Sequence, residues 1–153
     1  MPHVRTQLRN AVKTRLTTVP AIRGAYNVSR LNRKFQSHNF PLAVVNADEV
    51  VTQSPGSFPG QQPQTRTYKV DIQIVTIDED DDPESVVDAI AVDIEKAFVR
   101  PDFGIGKVTN WRLVSSGTAD SASLECGDII SQLLTYTGDI MTLDSAPDQN
   151  IHS

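Results

Sequence analysis

The sequence predicts an α+β fold: an antiparallel or mixed β-sheet with two helices packed on it and a long loop between the first two strands. Three observations lead there. Apolar residues recur at helical spacing in residues 3–18 and again in 83–99. Residues 66–77 alternate apolar and polar side chains, the pattern of a half-buried strand. Two further strand-like stretches lie nearer the C-terminus. With 153 residues, 39% hydrophobic and 22% charged, the chain has the size and composition of one globular domain around one core. Residues 1–143 are read as that domain and 144–153 as a frayed polar tail.

The first helix sets Val4, Leu8, Ala11, Val12 and Leu16 on one face and Arg5, Arg9 and Lys13 on another. Pro20 and Gly24 close it. Residues 21–40 are basic and weakly patterned, a loop or a short strand. "FPLAVVNA" (Phe40–Ala47) is a buried strand. "DEVVTQSPGSFPGQQPQT" (48–65) has prolines at 55, 59 and 63 and glycines at 56 and 60, so no regular structure is expected there. A connection of that length is either a disordered excursion or an arm that orders against a neighbouring subunit, with Phe58 as its packing side chain.

"RTYKVDIQIVTI" (Arg66–Ile77) turns Tyr68, Val70, Ile72 and Ile74 one way and Lys69, Asp71 and Gln73 the other. An acidic run, Asp78–Asp82, follows. Pro83 suits the first helical position, where its missing N–H is not needed. That makes Asp82 the N-cap, with acidic charge at the positive end of the helix dipole. Val87, Ile90, Ala91, Ile94 and Phe98 form one stripe, Asp88, Glu95 and Lys96 face water, and the helix stops near Val99, before Pro101. "VTNWRLVSSGT" (Val108–Thr118) sets Trp111 and Leu113 against Arg112 and Val114. "DIISQLLTYTGDIMTL" (Asp128–Leu143) is a strand through Tyr136, with Gly138 as its end or a bulge.

Charge is sorted along the chain. Residues 1–40 hold eight Lys/Arg and no Asp or Glu, while 41–153 hold the other six basic and all 19 acidic residues. A segment of charge +8 is thus joined to one of −13. Such sorting fits a solvated surface, a protomer whose unlike faces attract copies of itself, or nucleic acid on the basic side. No run approaches a membrane span, and the N-terminus lacks the apolar core of a secretory signal. The single cysteine, Cys126, cannot form an internal disulfide, which suits synthesis in a reducing cytoplasm.

No motif supports catalysis or a cofactor. Asp78, Asp80 and Asp82 match the first ligand positions of a calcium loop, but Pro83 stands at the turn glycine and Ala89 at the bidentate glutamate. "PDFGIGKVTN" has the outline of a phosphate loop without its first glycine, its hydroxyl or its helix. "GSFPG" is not a nucleophile elbow. His3, His38 and His152 lack ligand spacing, and Cys126 has no nearby activator. No catalytic, metal or cofactor residue is assigned, and the chain is read as a non-enzyme.

The order of a basic helix "LRNAVKTRL", the strand "FPLAVV", a long loop, "YKVDIQIVTI", an acidic turn into "VVDAIAVDIEKAF", and "WRLVSSG" with "ISQLLTYTGDI" resembles the tail terminator (minor tail protein U-like) family of long-tailed bacteriophages. The resemblance covers most of residues 3–141. It implies a homohexameric ring that caps the tail tube, ends its polymerisation and joins it to the head connector, with DNA passing through the lumen. It implies a place in the tail or neck of the virion after assembly in the host cytoplasm. Related neck and head-completion proteins share the pattern. A ring needs two different patches meeting head to tail. The candidates for subunit or partner contact are Arg5, Arg9, Lys13, Arg30, Arg33, Lys34, Phe58, Asp78, Glu79 and Asp80. Two other classes compete. A nucleic-acid-binding module using residues 5–34 has only Tyr26 and Phe35 for stacking. A small hydrolase lacks any nucleophile–base pair.

Overall fold

The computed structural model describes residues 2–27, 40–53, 58–77, 82–118, 123–124 and 127–152. The chain forms α1 (Val4–Leu16), β1 (Ala25–Asn27), β2 (Leu42–Gln53), β3 (Pro63–Ile77), α2 (Pro83–Ala97), β4 (Thr109–Thr118), β5 (Ser123–Leu124) and β6 (Gly127–Leu143). The strands run in the order β1-β2-β3-β6-β4, with the short β5 paired to the start of β6. β1 is parallel to β2 and every other described pairing is antiparallel, so the sheet is mixed. The predicted α+β class holds.

Both helices lie on one face of the sheet because each has one apolar stripe to cover. α1 buries Val4, Leu8, Val12 and Leu16, and α2 buries Val87, Ile90, Ala91, Ile94 and Phe98. The inward row of β3 (Tyr68, Val70, Ile72, Ile74) meets them together with Leu134, Tyr136 and Ile140 of β6. Each large aliphatic or aromatic side chain so placed contributes about 1.5–3 kcal/mol of burial. A smaller cluster, Phe40, Leu42, Val44, Val75 and Ile77, lies on the other face at one end of the sheet.

α2 starts as its sequence requires. Pro83 opens the helix, and the Asp82 carboxylate accepts from the Ser85 N–H at 3.3 Å and from the Ser85 hydroxyl at 2.6 Å. These donated bonds hold the Asp82 carboxyl below its ordinary value. At the C-terminal end the Arg15 guanidinium donates from Nε to the Ala97 carbonyl at 2.5 Å and lies over the Phe98 ring. That joins the two helix ends.

Three expectations are corrected. Residues 48–53 and 63–65 are strand: β2 continues to Gln53 and β3 begins at Pro63, paired in register from Asp48↔Lys69 to Gln53↔Gln64. The prolines permit this because Pro63 is the first residue of its strand, and Pro55 and Pro59 fall in the connection 54–62. Gly138 does not end β6, which pairs with β3 without a break from Ile129 to Leu143; the bulge expected there lies in the ladder on its other side, where β4 carries an extra residue opposite Gly138 between the pairs Thr109↔Asp139 and Arg112↔Thr137. A Cβ at 138 would meet Trp111 Cε3 at 2.8 Å, so glycine is there to let the indole lie across the strand.

Residues 144–152 are not frayed. The Asp144 carboxylate accepts from the N–H of Gly60 at 2.7 Å and of Gln62 at 3.1 Å, and the Ser145 hydroxyl donates to the Gly60 carbonyl. Asn150 is buried and donates to the carbonyls of Ile105 and Lys107. The Val4 N–H reaches the Pro147 carbonyl at 3.1 Å and Gln7 donates to that of Asp148 at 2.8 Å. The C-terminal segment therefore clamps the start of α1, the 102–107 loop and the β2–β3 turn together.

Candidate assembly interface

Of the sequence-chosen contact residues, Arg30, Arg33, Lys34, Asp78, Glu79 and Asp80 lie outside the described residues. Arg5 is exposed on α1, Arg9 and Lys13 are half-buried, and none of the three forms an ion pair with another described residue. Phe58 is 80% exposed, on the turn rooted by Asp144 and Ser145. Val50 and Val51 of the same hairpin are also exposed. The structure does not join α1's basic face to Phe58 by any hydrogen bond or ion pair among the described residues.

A second exposed apolar patch lies between the end of α2 and the edge strand β4. Val99 is exposed there, and a groove of about 320 Å³ is lined by Phe98, Val99, Trp111, Leu113 and Tyr136, with Glu95 and Arg112. Trp111 stacks on Tyr136 with ring centroids 5.0 Å apart and meets Phe103 edge-on at 4.9 Å. Its indole N–H donates to the Phe98 carbonyl at 3.0 Å, satisfying the C-terminal end of α2. Burial, aided by Glu95, pushes the Tyr136 hydroxyl up to about 12, so it stays neutral. These residues come from three places, the end of α2, β4 and β6, which is why Phe98, Trp111, Leu113 and Tyr136 showed in the sequence only as helix-stripe and strand residues and not as one groove.

The sequence reading also missed a charged cluster beneath the start of α1. The Arg66 side chain, 8% exposed, donates from Nη1 to Glu49 Oε1 at 2.6 Å, from Nη2 to Gln64 at 3.0 Å and from Nε to the Thr142 hydroxyl at 2.9 Å. The Tyr68 hydroxyl donates to Glu49 Oε2 at 2.6 Å, and burial, then Glu49, raises Tyr68 well above a normal phenol. His3 caps α1: its Nδ1 accepts from the Arg5 N–H at 3.0 Å, which puts the ring proton on Nε2. Nε2 lies 3.4 Å from Arg66 Nη1, a contact between two donors rather than a hydrogen bond. Burial lowers the His3 pKa, against the pull of Glu49. The legible signal was parity: Gln64 and Arg66 share the inward register of Tyr68 on β3. With every Arg66 nitrogen and both Glu49 oxygens engaged internally, the cluster is a structural tie across α1, β2, β3 and β6 and has no free group for chemistry.

No protein-family model and no curated protein matches the chain. Among solved structures it is similar to a chain described as "Virion of native gene transfer agent (GTA) particle". The identity is 14%, the TM-score is 0.42, and 92% of each chain is covered. A likeness at that level carries no functional argument. Among the described residues no group of three His, Cys, Asp or Glu is placed to hold a metal ion, and no helix is long and apolar enough to cross a membrane.

Proposed function

We propose that this chain is a structural subunit of a phage-like virion. In this reading it assembles with copies of itself, head to tail, into a closed ring at the end of a tail tube. One observation carries the reading: among the described residues, exposed large apolar side chains occur on different parts of the fold, Phe58 on the β2–β3 connection and Val99 at the end of α2 among them, with Val50, Val51, Val92, Val114 and Ile151 exposed as well. Unlike surfaces meeting head to tail make a heterologous contact, which gives a ring where the rotation between copies closes. The resemblance of element order to tail terminators supplies the rest. The ring is homohexameric, caps the tube, stops its growth and meets the head connector, and DNA passes through it. Arg5, exposed on α1, with the half-buried Arg9 and Lys13, and the run Asp78, Glu79 and Asp80 add an electrostatic part to the subunit or partner contact.

Sedimentation of the purified protein over a wide concentration range, with electron microscopy of the largest species, tests this. Rings that bind tube ends and halt tube elongation are expected. A monomer at every concentration that leaves elongation unchanged overturns the reading, and salt-sensitive DNA binding by that monomer would point to a nucleic-acid module instead.

A further inference from the structure

Among the described residues one stretch of sheet edge is long, regular and open. β1 pairs with β2 only from Ala43 to Val45, so β2 from Asn46 to Gln53 has no described strand on its outer side. Its inner side pairs with β3 without a bulge. The Ala43 N–H donates outward, to the Gly24 carbonyl that leads into β1. Backbone groups alternate sides along a strand, so those of Ala47, Glu49, Val51 and Gln53 point to the open side. The other long edge is blunted: β4 carries two irregularities against β6 and a positive φ of 55° at Asn110. β2 has neither device. Val50 and Val51 are 66% and 41% exposed on its opposite faces.

An edge of this kind takes another strand, and its residues favour a second copy. Since β2 alone offers an unbroken described edge, two copies pairing this way meet β2 to β2, antiparallel about a twofold axis. Centred on Asp48 or Glu49, that pairing sets a carboxylate against its twin, which is destabilising. Centred on Val51 or Thr52, it leaves fewer residues paired, because β2 ends at Gln53. Centred on Val50, it pairs Ala47 to Gln53 throughout. Each Val50 then lies on the other, each Asp48 faces a Thr52 hydroxyl, and Glu49 stays with Arg66 and Tyr68. The two Asp48 carboxylates are four residues apart, ~13 Å, beyond the ~8 Å screening length at physiological salt.

We propose that the open edge of β2 is a self-pairing surface: Ala47–Gln53 of two copies join as antiparallel strands centred on Val50, and the two sheets continue into one. This goes beyond the ring and does not depend on it. An isologous pair uses the edge of both copies and stops at two, so it neither builds nor needs a head-to-tail contact.

In a Cys126→Ser background, Val50→Cys alone should cross-link to a second copy on mild oxidation, because a disulfide requires Cα atoms within about 7 Å. Asp48→Cys alone should not, whereas Asp48→Cys mixed with Thr52→Cys should. Val50→Lys sets like charges against each other on the axis. Val51→Pro removes an N–H that faces the second copy and not β3. Each should weaken dimerisation at least about tenfold in sedimentation equilibrium, with thermal unfolding of the dilute monomer checking that the fold is kept. Hydrogen exchange at Ala47, Glu49 and Val51 should slow as wild-type protein is concentrated. A wild-type monomer at every concentration overturns the proposal. So does a dimer that both changes leave intact, or Asp48→Cys cross-linking as readily as Val50→Cys. Edge-paired dimers that never form rings keep this contact and overturn the ring. Rings that both changes leave intact, with these amides unprotected, do the reverse.

Discussion

Arg66 and Glu49 face each other at 2.6 Å across β2 and β3, with side chains only 8% and 11% exposed. Removing one partner leaves a buried, unneutralised charge. Glu49→Ala should therefore cost about 3–5 kcal/mol, with the Tyr68 hydroxyl also losing its acceptor. Replacing both, Glu49→Leu with Arg66→Met, should cost far less than the sum of the single changes. Urea unfolding of the three variants measures it, and additive losses would show that the pair is not coupled.

Gly138 is the second position where one atom matters. Gly138→Ala should destabilise by about 1–3 kcal/mol, the range for forcing extra volume into a packed site. The obstacle is the Trp111 ring at 2.8 Å. In a Trp111→Leu background the same change should cost less. Thermal unfolding of the double-mutant cycle decides it, and an equal cost in both backgrounds would move the cause elsewhere.

Acid should act through His3. Its folded pKa lies below the ordinary 6.5 because of burial. As pH falls below that value the unfolded chain takes the proton first, so stability present above pH 6.5 is lost as pH falls through the folded pKa. Protonation also removes the Nδ1 acceptor that caps α1. His3→Asn keeps a capping acceptor that does not titrate. The variant should show a flatter fall in unfolding midpoint as pH drops below 6.5. A slope identical to wild type would remove His3 from the account.

Asp82 acts at lower pH. Its carboxyl is held below the ordinary 3.8 by the bonds from Ser85. Its contribution is therefore present above that value and lost as pH falls through the folded pKa. Asp82→Ala should lower the unfolding midpoint at neutral pH, and the gap to wild type should close in strong acid. A gap that stays constant with pH would mean the carboxylate's charge is not what caps the helix.

Salt should weaken self-association if the basic and acidic segments contribute, because screening acts within ~8 Å at physiological ionic strength. Asp78, Glu79 and Asp80 changed together to Ser should weaken assembly while leaving monomer unfolding nearly unchanged. Ring formation indifferent to molar salt and to the triple change would remove the charged segments from the contact.

What the sequence determined by itself was local. The stripes of α1 and α2, the alternation of β3 and the capping of α2 by Asp82 each depend on spacing or chemistry within a few residues, and they appear in the structure at the predicted positions. The tertiary structure alone decided what depends on distant partners. β2 extends to Gln53 because β3 pairs with it across a proline-rich connection, and Gly138 continues its strand because Trp111 needs the space. The last residues are ordered because Gly60, Ile105, Lys107 and the start of α1 supply their hydrogen-bond partners. Arg66 is inward because Glu49, Gln64 and Thr142 meet its guanidinium there. The groove exists only where Phe98, Trp111 and Tyr136 converge from three elements. Periodicity reports which face of an element is apolar. It does not report which element covers that face, and burial and interface geometry are set by that second choice.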